Sequence, residues 1–97
     1  MEYLDQNYVD VAASQPNATI STRKGTVIKH ILVIPETTGA GTISIKDGGG
    51  SAVNVFVTGT LTSLVPFSIF LDCRSKTGGW TITTGANVHV RVVGQFD

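Results

Sequence analysis

The sequence is poor in the side chains that carry covalent or metal chemistry. It contains one cysteine, Cys73, and two histidines, His30 and His89, which lie far apart in the chain. One cysteine excludes an internal disulfide, and a zinc site needs three or four converging donors. Cys73 follows the apolar alternation of "PFSIFLDC" (66–73), and no helix is predicted that would activate its thiol. We therefore interpret Cys73 as a buried structural residue.

The glycine-rich stretch "DGGGS" (47–51) does not match a ligand-binding loop. A phosphate loop needs a lysine and a following helix N-terminus, and a calcium loop needs further carboxylates after its first aspartate. Neither pattern is present, so Asp47 is interpreted as a turn residue whose side chain binds backbone amides. These absences predict a protein that is not an enzyme and that needs no metal or other cofactor.

Charge is also scarce, and neither sign prevails. Seven Lys and Arg residues balance seven Asp and Glu, and charged residues make up 14% of the chain, against about 25% in a typical domain. There is no basic excess to attract a polyanion, and no apolar run approaches the roughly 18 residues of a membrane helix. Neither nucleic acid nor a membrane is therefore predicted as a partner. A low charge is compatible with a Thr- and Gly-rich β domain that stands alone. We favour the alternative, in which other chains cover part of the surface.

Alternation of apolar and polar residues dominates the chain from residue 17 onward. Glycine-rich turns separate the alternating segments, and no window has the i, i+3, i+4 spacing of a helix. About seven such segments, rich in β-branched residues, predict an all-β antiparallel β-sandwich, jelly-roll-like, over residues 17–97. The predicted strands cover residues 18–23, 26–35, 41–47, 52–58, 66–73, 80–84 and 86–93.

The phase of each strand predicts which side chains form the core. Trp80 and Phe67 share their phase with isoleucines and valines, so both are expected inside, as are the valines of segment 52–58. The run "ILVI" (31–34) is apolar on both faces, which is typical of a strand covered on both sides. Phe70 has the opposite phase in its strand, and we expect it to be buried against the second layer. For Phe56, burial and exposure both remain open.

Residues 1–16 differ from the rest and have no sustained period. They are predicted to form an extended N-terminal arm, unless they are simply a frayed terminus. If the arm binds a neighbouring subunit, its anchors are Tyr3, Leu4, Tyr8 and Val9, because aromatic residues are enriched at interfaces. Removal of residues 1–16 is then expected to leave a folded domain.

The last predicted strand carries a polar row on its outward phase. The row consists of Asn87, His89 and Arg91, which alternate with inward valines. These side chains form either an ordinary solvated face or a surface that meets a partner. They complete the set of candidate partner-binding residues.

Two segments, "GTISIKDGGGSAVNVF" and "VPFSIFLDCRSKTGGWTITTGANVHVRVVG", resemble the small all-β structural proteins of tailed bacteriophages, especially capsid decoration or cement proteins. The shared elements are the "TISIKDG" hairpin, the proline-led "PFSIFLD" strand and the "GGWTITTGANV" lead into the last strand. The resemblance covers about residues 20–95. It implies strands arranged in a jelly roll or a related sandwich.

The resemblance implies a virion protein, made in the host cytoplasm, that binds the major capsid protein at the outer surface of the capsid. Proteins of the cement type act as trimers at capsid symmetry axes, so a homotrimer is expected. The same style of sequence occurs in phage head fibres, tail adaptors and baseplate modules. The alternative is therefore a receptor- or glycan-binding module or adaptor in a head fibre or tail, which predicts an exposed aromatic cluster and is disfavoured if Trp80 and Phe56 are both buried.

Overall fold

The computed structural model describes residues 6–37, 39–58 and 64–96, so the predicted anchors Tyr3 and Leu4 lie outside the described residues. The described residues form eight strands and no helix. The strands are β1 (Gln6–Val11), β2 (Ala18–Thr19), β3 (Val27–Pro35), β4 (Ile43–Asp47), β5 (Val53–Phe56), β6 (Phe67–Arg74), β7 (Trp80–Thr84) and β8 (Val88–Gln95). The predicted all-β class is confirmed.

The strands form two antiparallel sheets of four strands each. Sheet 1 has the order β1-β8-β3-β6, and sheet 2 has the order β2-β7-β4-β5. Neighbours in each sheet run antiparallel. The two sheets contribute to one hydrophobic core, as in a β-sandwich.

The core is built by the inward phase of the central strands. Burial alternates strictly along β7 and almost strictly along β3 and β8, because successive side chains of a strand point to opposite faces. Ile31, Val90 and Ile82 are at most 1% exposed. Trp80 is 6% exposed and its indole N–H donates to the carbonyl of Thr26 at 3.2 Å, which confirms its predicted place in the core.

Residues 6–11 of the predicted arm form the edge strand β1 of sheet 1. All six residues of β1 pair with β8, with Val9 opposite Val92 and Val11 opposite Val90. Val11 is only 5% exposed, and Val9 packs against the core. Short alternation, apolar at 9 and 11 and polar at 10, is enough to form an edge strand once a partner strand is available. Residues 6–11 are therefore part of the sandwich and do not extend away from it.

The valines of β5 do not all face the core. A bulge in the pairing of β4 with β5 places Phe56 opposite Ile43, and the Phe56 ring lies 5.5 Å from that of Phe67. Val53 and Val57 are 59% and 61% exposed, so the prediction of an inward valine row is wrong at these positions. β5 is an edge strand, so Val53 is exposed although it pairs with the inward Ile45, and Val57 lies beyond the end of the strand.

The outer face of sheet 1 also departs from the predicted burial. Leu32 and Ile34 in β3 are only half-buried, so the run "ILVI" is covered fully on one face. Phe70 is 78% exposed, and its predicted burial is wrong because its phase points away from the second sheet. Cys73, on the opposite phase, is half-buried and packs against the core.

Candidate interaction surface

The two sheets of the sandwich present outer faces of opposite character. The outer face of sheet 2 carries small polar or charged side chains, namely Thr19, Ser44, Lys46, Thr81 and Thr83. The outer face of sheet 1 is rich in aromatic and aliphatic side chains, and it comprises Tyr8, Asp10, His30, Leu32, Ile34, Ser68, Phe70, His89, Arg91 and Val93. We call these ten residues the apolar face. Solvated sheet faces are normally polar, so the apolar face is the candidate interaction surface.

One row of the apolar face crosses all four strands. Tyr8 lies opposite Val93, Val93 opposite His30, and His30 opposite Phe70. The two ends of the row are the most exposed, at 55% for Tyr8 and 78% for Phe70. The rings of His30 and Phe70 lie 5.4 Å apart and are tilted by 43°. Cross-strand pairing thus brings together side chains from distant parts of the chain into one aromatic row.

The next row contains a charged cluster on β1 and β8. Arg91 donates from Nε and Nη2 to the two carboxylate oxygens of Asp10 at 2.7 and 3.1 Å. Its guanidinium carbon also lies 4.0 Å from the centre of the Tyr8 ring. The hydrogen bond from Arg91 lowers the pKa of Asp10, and the same pairing raises the pKa of Arg91. Both groups therefore stay charged at neutral pH and fix one another in place.

A shallow groove lies along the apolar face between the two basic side chains of β8. Its volume is about 570 Å³, and its floor includes Leu32 and Ile34. Arg91 with Asp10 borders the groove on one side. On the other, Nδ1 of His89 lies 3.0 Å from a carboxylate oxygen of Glu36. The groove thus has an apolar floor, with the Arg91–Asp10 ion pair on one side and the contact of His89 with Glu36 on the other.

A second ion pair flanks the exposed ring of Phe70. The ammonium of Lys29 lies 3.2 Å from the carboxylate of Asp72. A bulge gives β6 an additional residue relative to β3, and Asp72 there has a positive φ of 55°. Lys29, Asp72, His30 and Phe70 line a depression of about 350 Å³. As at the groove, charges of opposite sign neutralise one another beside an apolar group.

The candidate residues from the sequence are distributed unequally over this surface. Tyr8, His89 and Arg91 lie on the apolar face, whereas Val9 faces the core. Asn87 lies in the turn before β8, where its carbonyl accepts a hydrogen bond from the Glu36 amide at 2.9 Å.

Sequence reasoning missed several residues of the apolar face. They are Asp10, His30, Leu32, Ile34 and Phe70. Two signals pointed to them, the outward phase of Phe70 and the two-faced apolar run 31–34.

The polar clusters elsewhere serve the fold. The carboxylate of Asp47 accepts hydrogen bonds from Ser75 Oγ at 2.6 Å and from the Lys76 amide at 2.7 Å, and Ser75 Oγ in turn accepts from the Gly79 amide at 2.7 Å. These bonds fasten the 75–79 turn to the end of β4. In the described part of the chain, no group of three or more His, Cys, Asp or Glu is placed to hold a metal, and no buried side-chain polar atom lacks a partner.

Comparisons with known proteins supply no family for the chain. No protein-family model matches it, and no curated protein or solved structure matches it at a significant level. Residues 6–37, 39–58 and 64–96 contain no helix that is long and apolar enough to cross a membrane. The function is therefore argued from the surface itself.

Proposed function

We propose that this protein is a non-enzymatic structural subunit of a phage particle, which binds the outer surface of the capsid as an oligomer and stabilises it. The observation that carries the proposal is a set of large apolar side chains, each more than half exposed. They are Tyr8, Val53, Val57, Leu64, Val65 and Phe70, with exposures between 53% and 78%. The number of these side chains in so small a domain supports a role in which neighbouring chains cover part of the surface.

Covering such side chains provides the energy for attachment. Full burial of one large apolar side chain contributes about 1.5–3 kcal/mol, so a few of them support a specific contact of standard size. On a repeating lattice, many modest contacts act together and avidity exceeds the affinity of each. A subunit of this kind needs flat, apolar faces and no catalytic pocket.

Within this proposal, the strands are connected as a jelly roll. β1 pairs with β8, β2 with β7, β3 with β6 and β4 with β5. This pairing is expected if one long hairpin, with its turn between β4 and β5, is rolled so that its strands divide between two sheets. Eight strands in two Greek keys define a jelly roll. The arrangement leaves the outer faces of both sheets free of covering elements in the described residues.

The sequence is the basis for proposing a phage particle as the location of this protein. The resemblance of residues 20–95 to capsid decoration proteins supports a place on the virion and the major capsid protein as partner. The alternative, a receptor- or glycan-binding module, predicts an exposed aromatic cluster and is disfavoured if Trp80 and Phe56 are both buried. Trp80 is 6% exposed and Phe56 is half-buried against Phe67, so these two rings do not form such a cluster, and the exposed rings of Tyr8 and Phe70 are the ones that the alternative would use.

Particles produced with and without the gene for this protein test the proposal. We expect the protein to co-purify with the particles in a fixed ratio to the major capsid protein. Electron microscopy should show added density on the outer surface, and particles that lack the protein should open at a lower temperature. A protein that is absent from purified particles would contradict the capsid role.

A further inference from the structure

We propose that the apolar face binds the apolar face of a second copy of this chain, which gives a two-fold symmetric dimer. Sheet 1 of one copy packs face to face against sheet 1 of the other. Sheet 2 of each copy, with its polar outer face, remains on the outside of the dimer. The proposal rests on the geometry of the face and does not depend on the capsid role. It differs from the trimer that the sequence resemblance implies.

The arrangement of the aromatic row makes the face self-complementary. Consider a two-fold axis that lies between the two packed sheets, runs parallel to the strands and passes between β8 and β3. This axis reverses the strand order of the second copy and places each row of one copy opposite the same row of the other. Tyr8 of one copy then lies opposite Phe70 of the other, and Val93 opposite His30. The most exposed aromatic side chains, at opposite edges of the sheet, would thus cover one another twice.

The charges of the face favour a neutral partner such as a second copy. Arg91 is paired with Asp10, and Lys29 with Asp72. Glu36 is engaged by His89. A strongly acidic or basic partner would have to compete with these intramolecular pairs, whereas a second apolar face brings the same balanced set of charges.

The size of the face suits a weak dimer that forms as the concentration rises. Four strands about 4.8 Å apart, six to nine residues long and about eight on average, at roughly 3.4 Å per residue, cover about 19 by 27 Å. That is roughly 500 Å² per copy and 1,000 Å² for the pair, which is about the minimum for a biological interface and lies in the range of weak complexes. Aligned packing of two sheets at about 10 Å is a standard arrangement for such faces.

Analytical ultracentrifugation of the purified chain over a range of concentrations tests this interface. We expect the mass to rise to twice that of the 10.2 kDa monomer. The variant Phe70→Asp should sediment as a monomer, with a dimer dissociation constant raised roughly 30-fold or more, as for the loss of an aromatic hot-spot contact. Phe70 is 78% exposed, so the variant should retain the fold and its circular dichroism spectrum.

The matched control is Val53→Asp, because Val53 is an exposed apolar residue of sheet 2, at 59%. It should dimerise like the unaltered chain. A chain that stays monomeric at high concentration, or that forms a trimer, would overturn the proposal. A dimer that Phe70→Asp leaves intact would show that another surface joins the copies.

Discussion

Arg91 lies over the ring of Tyr8, with its guanidinium carbon 4.0 Å from the centre of the ring. The same guanidinium is fixed from the side by both carboxylate oxygens of Asp10. Tyr8 is 55% exposed, yet its position is set by this stacking contact. An aromatic side chain that is held in place before binding loses less conformational entropy when a partner covers it. The ion pair thus prepares one end of the apolar face.

The titration of Asp10 reports this pairing. In Arg91→Gln, we expect the pKa of Asp10 to rise towards its ordinary value, because the hydrogen bonds from Arg91 lower it in the unaltered chain. Because the pKa of Asp10 is lower in the folded state than in the unfolded state, the pair stabilises the fold at pH values above the pKa of the unfolded state. This stabilisation is lost as the pH falls through the folded pKa. NMR titration of the side-chain carboxyl groups measures the pKa of Asp10, and Lys29→Gln is the control. An unchanged Asp10 pKa in Arg91→Gln would contradict the pairing.

Asp47 is expected to stabilise the fold in a pH-dependent way. Burial raises the pKa of Asp47, but hydrogen bonds from Ser75, Lys76 and Thr77 outweigh this and lower it. Asp47→Asn should lower the free energy of unfolding at pH 7 by about 1–2 kcal/mol, because charged acceptors form the stronger bonds. The difference should shrink at a second, acidic pH below the lowered pKa of Asp47, where the unaltered carboxylate protonates too.

Urea denaturation at both pH values measures the effect of Asp47. The matched control is Asp72→Asn, which removes an exposed ion pair and should change stability by less than about 0.5 kcal/mol. If Asp47→Asn were as stable as the unaltered chain at pH 7, the turn would not depend on this carboxylate.

Gly79 is required by the backbone immediately before Trp80. Its φ is +104°, and a Cβ there would collide with the backbone carbonyl of Ser21 and lie 2.9 Å from the Cα of Thr22. Gly79→Ala should cost at least about 2 kcal/mol, from strain and collision together. Gly49 has open space around it, so Gly49→Ala should change stability by less than about 0.5 kcal/mol. Thermal denaturation that shows equal losses for both variants would refute the difference.

Residues 6–11 should be needed for folding, contrary to the expectation from sequence. Removal of residues 1–16 deletes β1, uncovers the edge of β8 and takes away the buried side chain of Val11. We expect a loss of more than about 3 kcal/mol, the scale of one large core side chain. Tyr8→Ser, which alters only the outward phase of β1, should fold normally. A truncated chain with the original melting temperature would show that β1 is a dispensable arm.

The sequence predicted those features that depend on alternation within one strand. The phases of β6, β7 and β8 were correct, including the core position of Trp80 and the shared face of Phe67 and Cys73. Alternation has a period of two, so it identifies the inner face of a strand wherever the pleat is regular. It failed at Val53, which lies in an edge strand, and at Val57, which follows the end of β5.

The candidate surface depended on information that one strand does not contain. Asp10 and Arg91 are opposite one another only because β1 pairs with β8, and Phe70 lies beside His30 only because β6 pairs with β3. Strand order follows from packing over the whole chain, and local pattern does not determine it. The apolar run 31–34 predicts a strand that is buried on both faces. In the structure its outward residues, Leu32 and Ile34, form the floor of the groove.

Hydroxyl-radical footprinting with mass spectrometry tests most directly whether the apolar face is covered. Tyr8 and Phe70 should be modified slowly at high protein concentration and several-fold faster on dilution, because covering by a second copy protects both rings. Trp80, which is 6% exposed in the single chain, is the internal reference and should be modified slowly throughout. If Tyr8 and Phe70 react at the rate of free side chains at every concentration, the apolar face is not an interface between copies.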